Sequence, residues 1–207
     1  MNASSCVALL LAAGGARRFA KETDGAHKLL ADLGGEPVVR VAATALVDVG
    51  FSRIVAVTGA RGDEVAGALE ALPIEIVHNG DWADGMGGSI ALGARHVAAS
   101  QPDAILLALA DMPLLRPSDH AAVLAAQDDD PATITRGMAA ERPGHPVVFG
   151  SHWFDALTTL RGDAGAASIL RGRGVRLVPL DRDTQRDVDT PDALEKVRRI
   201  RHERAEL

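Results

Sequence analysis

The chain has one cysteine, no tyrosine and 3% aromatic residues in 207 positions. A single thiol excludes an internal disulfide framework and suits a reducing compartment, so a cytoplasmic location is expected. The shortage of aromatic rings removes the stacked platforms on which single-stranded nucleic acids bind. A net charge of −6, from 22 Lys and Arg against 28 Asp and Glu, also opposes a nucleic-acid partner. No apolar run approaches the roughly 18–20 residues of a bilayer span, and residues 1–6 lack the basic segment that opens a signal peptide. A membrane partner is therefore not expected.

Several catalytic signatures are missing as well. There is no GxxxxGK[ST], which excludes a P-loop ATPase. The glycines at 14, 15, 85, 87 and 88 do not form a GxGxxG that opens a helix after a strand. The 7 histidines are scattered, with no HExxH and no CxxC, so a zinc site is not expected. No GxSxG elbow exists for a hydrolase. Cys6 opens an apolar run and reads as a small core residue rather than a nucleophile.

What remains is a chain with 47% hydrophobic residues, enough to bury a core. Residues 6–13 (CVALLLAA) form a continuous apolar run ending in Gly14-Gly15, the mark of a buried parallel strand. Residues 37–49 carry helical periodicity behind a proline and stop at Gly50. Strands follow at 54–58, 74–77 and 104–109, with helices at 62–72 and 89–99 between them. Strand–helix–strand steps of this kind build one parallel sheet covered on both faces. Beyond Asp111 the pattern predicts a helix at 117–126 and short strands at 132–135 and 146–149 around a loop at 137–144. Helical pieces near 153–160 and 164–170, a strand at 175–179 and a final helix to about Arg204 complete it. Thr190 caps that last helix, with Pro191 in its first turn. No repeat or linker breaks the chain, so residues 1–207 read as one domain with its core at about 6–200.

Ligands of open parallel sheets sit beyond the carboxyl ends of the strands. After the first strand come Gly14, Gly15, Arg17 and Arg18, and later Lys28. Glycines admit backbone amides to a phosphate and the cations neutralise it. The same residues also suit an ordinary tight turn with solvated arginines. Asp111 follows a buried strand, where a carboxylate is a natural Mg²⁺ ligand or a turn cap. Asp189, just ahead of Thr190, supplies a second carboxylate, and the pair fits a divalent metal bridging nucleotide phosphates.

Taken in order, these segments resemble the MobA/MocA-like nucleotidyltransferases, in particular the CTP:molybdenum cofactor cytidylyltransferases. The matching residues are Leu11-Ala12-Ala13-Gly14, Arg17-Arg18, Lys28, residues 54–59, Asn79, Trp82, Gly85-Met86 and Ser89. Asp111-Met112-Pro113, Gly144-His145-Pro146, residues 162–166 (GDAGA) and residues 187–192 (DVDTPD) continue the series to about Val197. The resemblance implies a Rossmann-like three-layer α/β sandwich with a mostly parallel sheet, of the nucleotide-diphospho-sugar transferase type. It implies transfer of CMP from CTP to molybdopterin with release of pyrophosphate. A molybdoenzyme or its chaperone would receive the product.

In such families the glycine turn, Arg17 or Arg18, and Lys28 would hold the triphosphate, and Asp111 and Asp189 would hold Mg²⁺. Leu11 to Gly15, Asn79, Gly85, Met86 and Ser89 would form the nucleotide pocket. His145, Pro146, Gly162 and Asp163 would face the pterin. Ala13 and Gly85-Met86 favour cytosine over guanine, because the guanylyl branch reads LAGG. Four features depart from the pattern: Phe19-Ala20 replaces a glycine, residues 21–27 (KETDGAH) intervene before Lys28, Ala110 precedes Asp111 in place of glycine, and Gly87-Gly88 stand before Ser89 where serines are more usual. These departures keep two other readings open. One is a nicotine blue oxidoreductase-like NAD(P)H-dependent reductase, and the other a non-catalytic molybdenum-cofactor-binding protein.

Overall fold

The structure is a computed structural model and describes residues 2–163 and 165–206. The strands form one seven-stranded sheet: β1 (Cys6–Ala12), β2 (Arg53–Thr58), β3 (Glu75–His78), β4 (Ala104–Leu109), β5 (Ile134–Ala139), β6 (Arg142–Gly150) and β7 (Arg176–Pro179). Their spatial order is β3-β2-β1-β4-β6-β5-β7. β1 lies between β2 and β4, parallel to both, with Leu10 opposite Ala56 on one side and Ala108 on the other.

Central strands of this kind must be apolar on both faces, and β1 is buried at every position. Strand alternation divides it between two cores. Cys6, Ala8, Leu10 and Ala12 pack into one cluster with α2 (Val38–Val47), α3 (Gly62–Ala68), α5 (Pro117–Ala125) and α8 (Pro191–Ala205). Val7, Leu9, Leu11 and Ala13 pack into the other, with α4 (Met86–Ala98), α6 (Phe154–Thr158) and α7 (Ala167–Leu170). The expected sandwich with a mostly parallel sheet is what forms. Cys6 is fully buried, as a core residue.

Three local expectations change. The loop expected at 137–144 lies largely within a hairpin, whose two-residue turn, Ala140-Glu141, has positive φ at both positions (48° and 63°). Gly137, Pro143 and Gly144 looked like loop punctuation, yet Pro143 sits opposite Met138 in the ladder. β6 also runs antiparallel to β4 and β5, so the sheet is not wholly parallel. The helix expected from Ser89 starts three residues earlier, at Met86, which places Gly87-Gly88 inside its first turn.

The stretch after Arg17, read as a turn and surface insertion, begins as a short helix, α1 (Arg17–Glu22). The cap at Thr190 is as expected: its side chain accepts from the Ala193 amide at 3.2 Å. Of the helix expected at 164–170, Ala164 lies outside the described residues and α7 covers the last four positions.

Candidate active site

The ends of β1 and β4 bring the charged candidates together. Lys28 stands in a single 3₁₀ turn (Lys28–Leu30) after the α1 segment. Its Nζ donates to Asp111 Oδ2 at 2.6 Å and to Asp189 Oδ1 at 2.5 Å. Two carboxylates 78 residues apart thus share one ammonium. The link between them is local: the Val188 amide donates to the Asp111 carbonyl at 2.9 Å, and the Val188 side chain is fully buried. Burying one such valine stabilises by about 1.5–3 kcal/mol, which anchors the segment. With Val188 turned inward, Asp187 and Asp189 flank the Asp111 side.

Electrostatics in this cluster pull in opposite directions. Burial alone would push the Lys28 ammonium down, but the Asp111 charge and the hydrogen bonds to both carboxylates outweigh it, and its pKa is raised. Partial desolvation pushes the Asp187 carboxyl up, helped by the negative charges of Asp189 and Asp111. The Lys28 ammonium and the exposed Arg18 guanidinium face three aspartates, which leaves the site short of positive charge. Asp111 Oδ1 is buried without a hydrogen-bond partner. An orphaned carboxylate oxygen beside a second, half-exposed carboxylate is a donor set of the kind hard divalent cations take, so these residues fit such an ion.

The second half of the site lies across the first turn of α1. A cleft of about 350 Å³ is lined by Leu11, Ala13, Gly14, Gly15, Arg17, Trp82, Gly85, Met86, Ser89 and Asp163 among others. Arg17 therefore faces the cleft, whereas its neighbour Arg18 reaches Asp189 Oδ2 at 3.3 Å. Ala12 does not line the cleft, because alternation turns its side chain into the opposite core. Asn79 stands behind it: its Nδ2 donates to Ser89 Oγ at 2.9 Å, and it lines an adjoining cavity of about 480 Å³ with Gly162.

Gly85 holds φ of 111°, a conformation that side chains resist, and a Cβ there would come within 2.4 Å of the Gly162 backbone. The Gly87 amide donates to the Gly162 carbonyl at 2.8 Å. These contacts seat the Gly162-Asp163 turn on the start of α4, with Asp163 in the wall of the cleft and Gly162 in that of the adjoining cavity. Ala164, within the expected turn at 162–166, lies outside the described residues.

His145 makes different contacts. Its Nδ1 donates to the Leu107 carbonyl at 3.4 Å, and burial pushes its pKa down to about 4, so the ring is neutral at physiological pH. It follows that His145 brings no positive charge to the site. Pro146, which follows it, is buried in β6.

Two residues outside the predicted set shape the site. His27 is 4% exposed and donates Nε2–H to the Gly14 carbonyl at 3.0 Å; burial lowers its pKa, so it stays neutral. The stretch that intervenes before Lys28 thus ends by fastening the glycine turn. Its signal in the sequence was adjacency to Lys28, which hid among polar neighbours. Asp187 is the other, marked by its two-residue spacing from Asp189.

Residues 8–180 match the family described as the MobA-like NTP transferase domain. Over 202 residues the chain is 32% identical to a protein named nicotine blue oxidoreductase from Paenarthrobacter nicotinovorans, covering 90% of this chain and 93% of that one. A nucleotidyl transferase from Methanothermobacter thermautotrophicus shares the fold, with a TM-score of 0.83 and 22% identity over 96% of this chain and 98% of that one. So does a Mycobacterium tuberculosis protein, Rv0371c, solved as a complex with manganese, with a TM-score of 0.77 and 23% identity over 94% and 98% of the two chains. With that match across residues 8–180, the chain belongs to the MobA-like NTP transferase domain family of nucleotidyltransferases.

Proposed function

We propose that the protein transfers CMP from CTP to the phosphate of molybdopterin, releasing pyrophosphate. One observation carries this reading: consecutive arginines straddle the two halves of the site, Arg17 in the cleft and Arg18 on the aspartate cluster. A nucleotide seated in the cleft would run its phosphates past α1 toward Lys28, Asp111 and Asp189. Ala13 and Gly85-Met86, the residues that favour cytosine, line that cleft.

The chemistry asks for little acid–base work. An oxygen of the acceptor's phosphate monoester attacks the α-phosphorus of CTP, and the bond from that phosphorus to the bridging oxygen of the pyrophosphate group breaks. The monoester is already an anion, so no strong base is needed. Arg17 and Lys28 would neutralise the triphosphate and the departing pyrophosphate. Asp111 and Asp189 would hold a divalent cation, in this reading Mg²⁺, which when bound withdraws charge from the phosphates. Triphosphate oxygens compete with the two carboxylates for the Lys28 ammonium, which releases the aspartates as the substrate arrives. His27 keeps the Gly14 carbonyl tied back, so that the turn presents its amides.

A second reading, an NAD(P)H-dependent reduction of a quinone-like pigment, is favoured by the 32% identity to the nicotine blue oxidoreductase. The two separate in one experiment. Purified protein is incubated with each nucleoside triphosphate, Mg²⁺ and molybdopterin, and products are weighed by mass spectrometry alongside a pyrophosphate assay. A CMP adduct formed with one pyrophosphate per turnover is the expected result. NADPH consumption with a quinone acceptor and no nucleotide adduct would reverse the assignment.

A further inference from the structure

The two tryptophans of the chain are used differently. Trp153 is spent on structure: its Nε1 donates to the Ala132 carbonyl at 2.8 Å, and the Arg173 guanidinium lies 4.5 Å from its ring centre. The Trp82 side chain has no hydrogen bond or cation over its ring among the described residues, and it lines the cleft that begins at Gly14. Its indole stretches across the turns that follow β1 and β2. A Cβ on Gly59 would stand 2.5 Å from the Trp82 Cβ, and a Cβ on Gly15 would stand 2.7 Å from the far edge of its six-membered ring. Both positions lack a side chain where the indole lies. Held in this way, the ring has little freedom to lose on meeting a flat partner, which is the condition for efficient stacking.

We propose that Trp82 is the stacking platform for the base of the nucleoside triphosphate, with Gly15 and Gly59 as its seat. The proposal rests on reading the cleft as the nucleotide site. It predicts that Trp82 sets affinity through the base and contributes nothing through the phosphates. It also accounts for a lone aromatic ring beside a glycine turn in a chain so poor in rings. Stacking tolerates any base, so the choice of cytosine falls to polar groups such as Ser89 and the backbone of Leu11 to Ala13.

The test is calorimetric binding of CTP, GTP and inorganic tripolyphosphate, each with Mg²⁺, to the wild type and to Trp82→Ala and Trp82→Phe. Loss of a base–aromatic stack weakens binding by about 5- to 150-fold. Trp82→Ala is therefore expected to bind both nucleotides that much more weakly and tripolyphosphate as before, with Trp82→Phe recovering most of the loss. In the Trp153→Phe background, where Trp82 alone emits, CTP should quench fluorescence and tripolyphosphate should not. An equal loss of tripolyphosphate binding in Trp82→Ala would mean that the indole merely props the turn, which overturns the proposal. So would unchanged nucleotide affinity, or quenching by NADPH with none by CTP. A wild type that binds tripolyphosphate but no nucleotide removes the nucleotide reading itself, an outcome distinct from the failure of Trp82 alone.

Discussion

The two sides of α1 are built on different principles. On one side, Lys28, Asp111 and Asp189 are held by charge: short ion pairs of 2.5 and 2.6 Å around a largely buried ammonium. On the other, the cleft is held by shape: glycines at 15, 59 and 85 stand where a Cβ would collide with a ring or a backbone. Charge acts on whatever changes charge during the reaction, whereas shape acts on how the substrate sits before it. The first side should therefore govern turnover, and the second affinity.

The largest expected effect tests the charged side. Asp111→Asn keeps the volume and the fold but removes the carboxylate whose Oδ1 lacks a partner. We expect kcat to fall by about 100- to 1000-fold, the range seen when one group that stabilises developing charge is removed, with KM for CTP moving less than tenfold. Initial rates of pyrophosphate release across a CTP titration measure both, and circular dichroism checks the fold. A rise in KM with kcat intact would dissolve the distinction between the two sides.

The shaped side answers to Gly85→Ala. The added Cβ meets the Gly162 backbone at 2.4 Å and the residue must hold φ of 111°, so the start of α4 shifts or carries about 1–3 kcal/mol of strain. CTP should bind roughly tenfold more weakly, with kcat within about twofold of the wild type. If kcat collapsed as it does in Asp111→Asn, the cleft and the aspartate cluster would be one mechanical unit.

How much of this was legible in the sequence follows the same division. Asp111 could be found because a carboxylate after a fully apolar strand has nowhere apolar to go, and Asp189 because Thr190 already filled the capping role. The strands β1 and β4 declared themselves by apolar runs. The steric half was opaque. That Gly59 must be glycine depends on Trp82, 23 residues later, and that Gly85 must be depends on Gly162, across the fold. The first half of β6 hid for a related reason: Pro143 and Gly144 are turn residues by local rule, and only pairing with β5 makes that stretch a strand. His27 was masked by polar neighbours, since its value lies in a hydrogen bond to Gly14 that spacing does not reveal.

The smallest expected effect divides the charged side internally. Arg18 and Lys28 both touch Asp189, but the Arg18 side chain is 80% exposed and the Lys28 side chain 12%. Water and salt screen an exposed pair, so Arg18→Ala should change stability by no more than about 1 kcal/mol, and by less in high salt. Lys28→Ala leaves Asp111, Asp187 and Asp189 without their ammonium, which costs more, on the order of 1–3 kcal/mol for a cluster that is partly open to water. The raised pKa of Lys28 fixes the pH window. Its stabilisation is fully present below the unfolded value of 10.5 and is lost only as pH rises through the still higher folded value, so the gap between the two variants should stay flat from pH 6 to 9. Urea denaturation at both ends of that range measures it. Equal destabilisation by the two substitutions would mean that the cluster is held by net charge alone, with burial adding nothing.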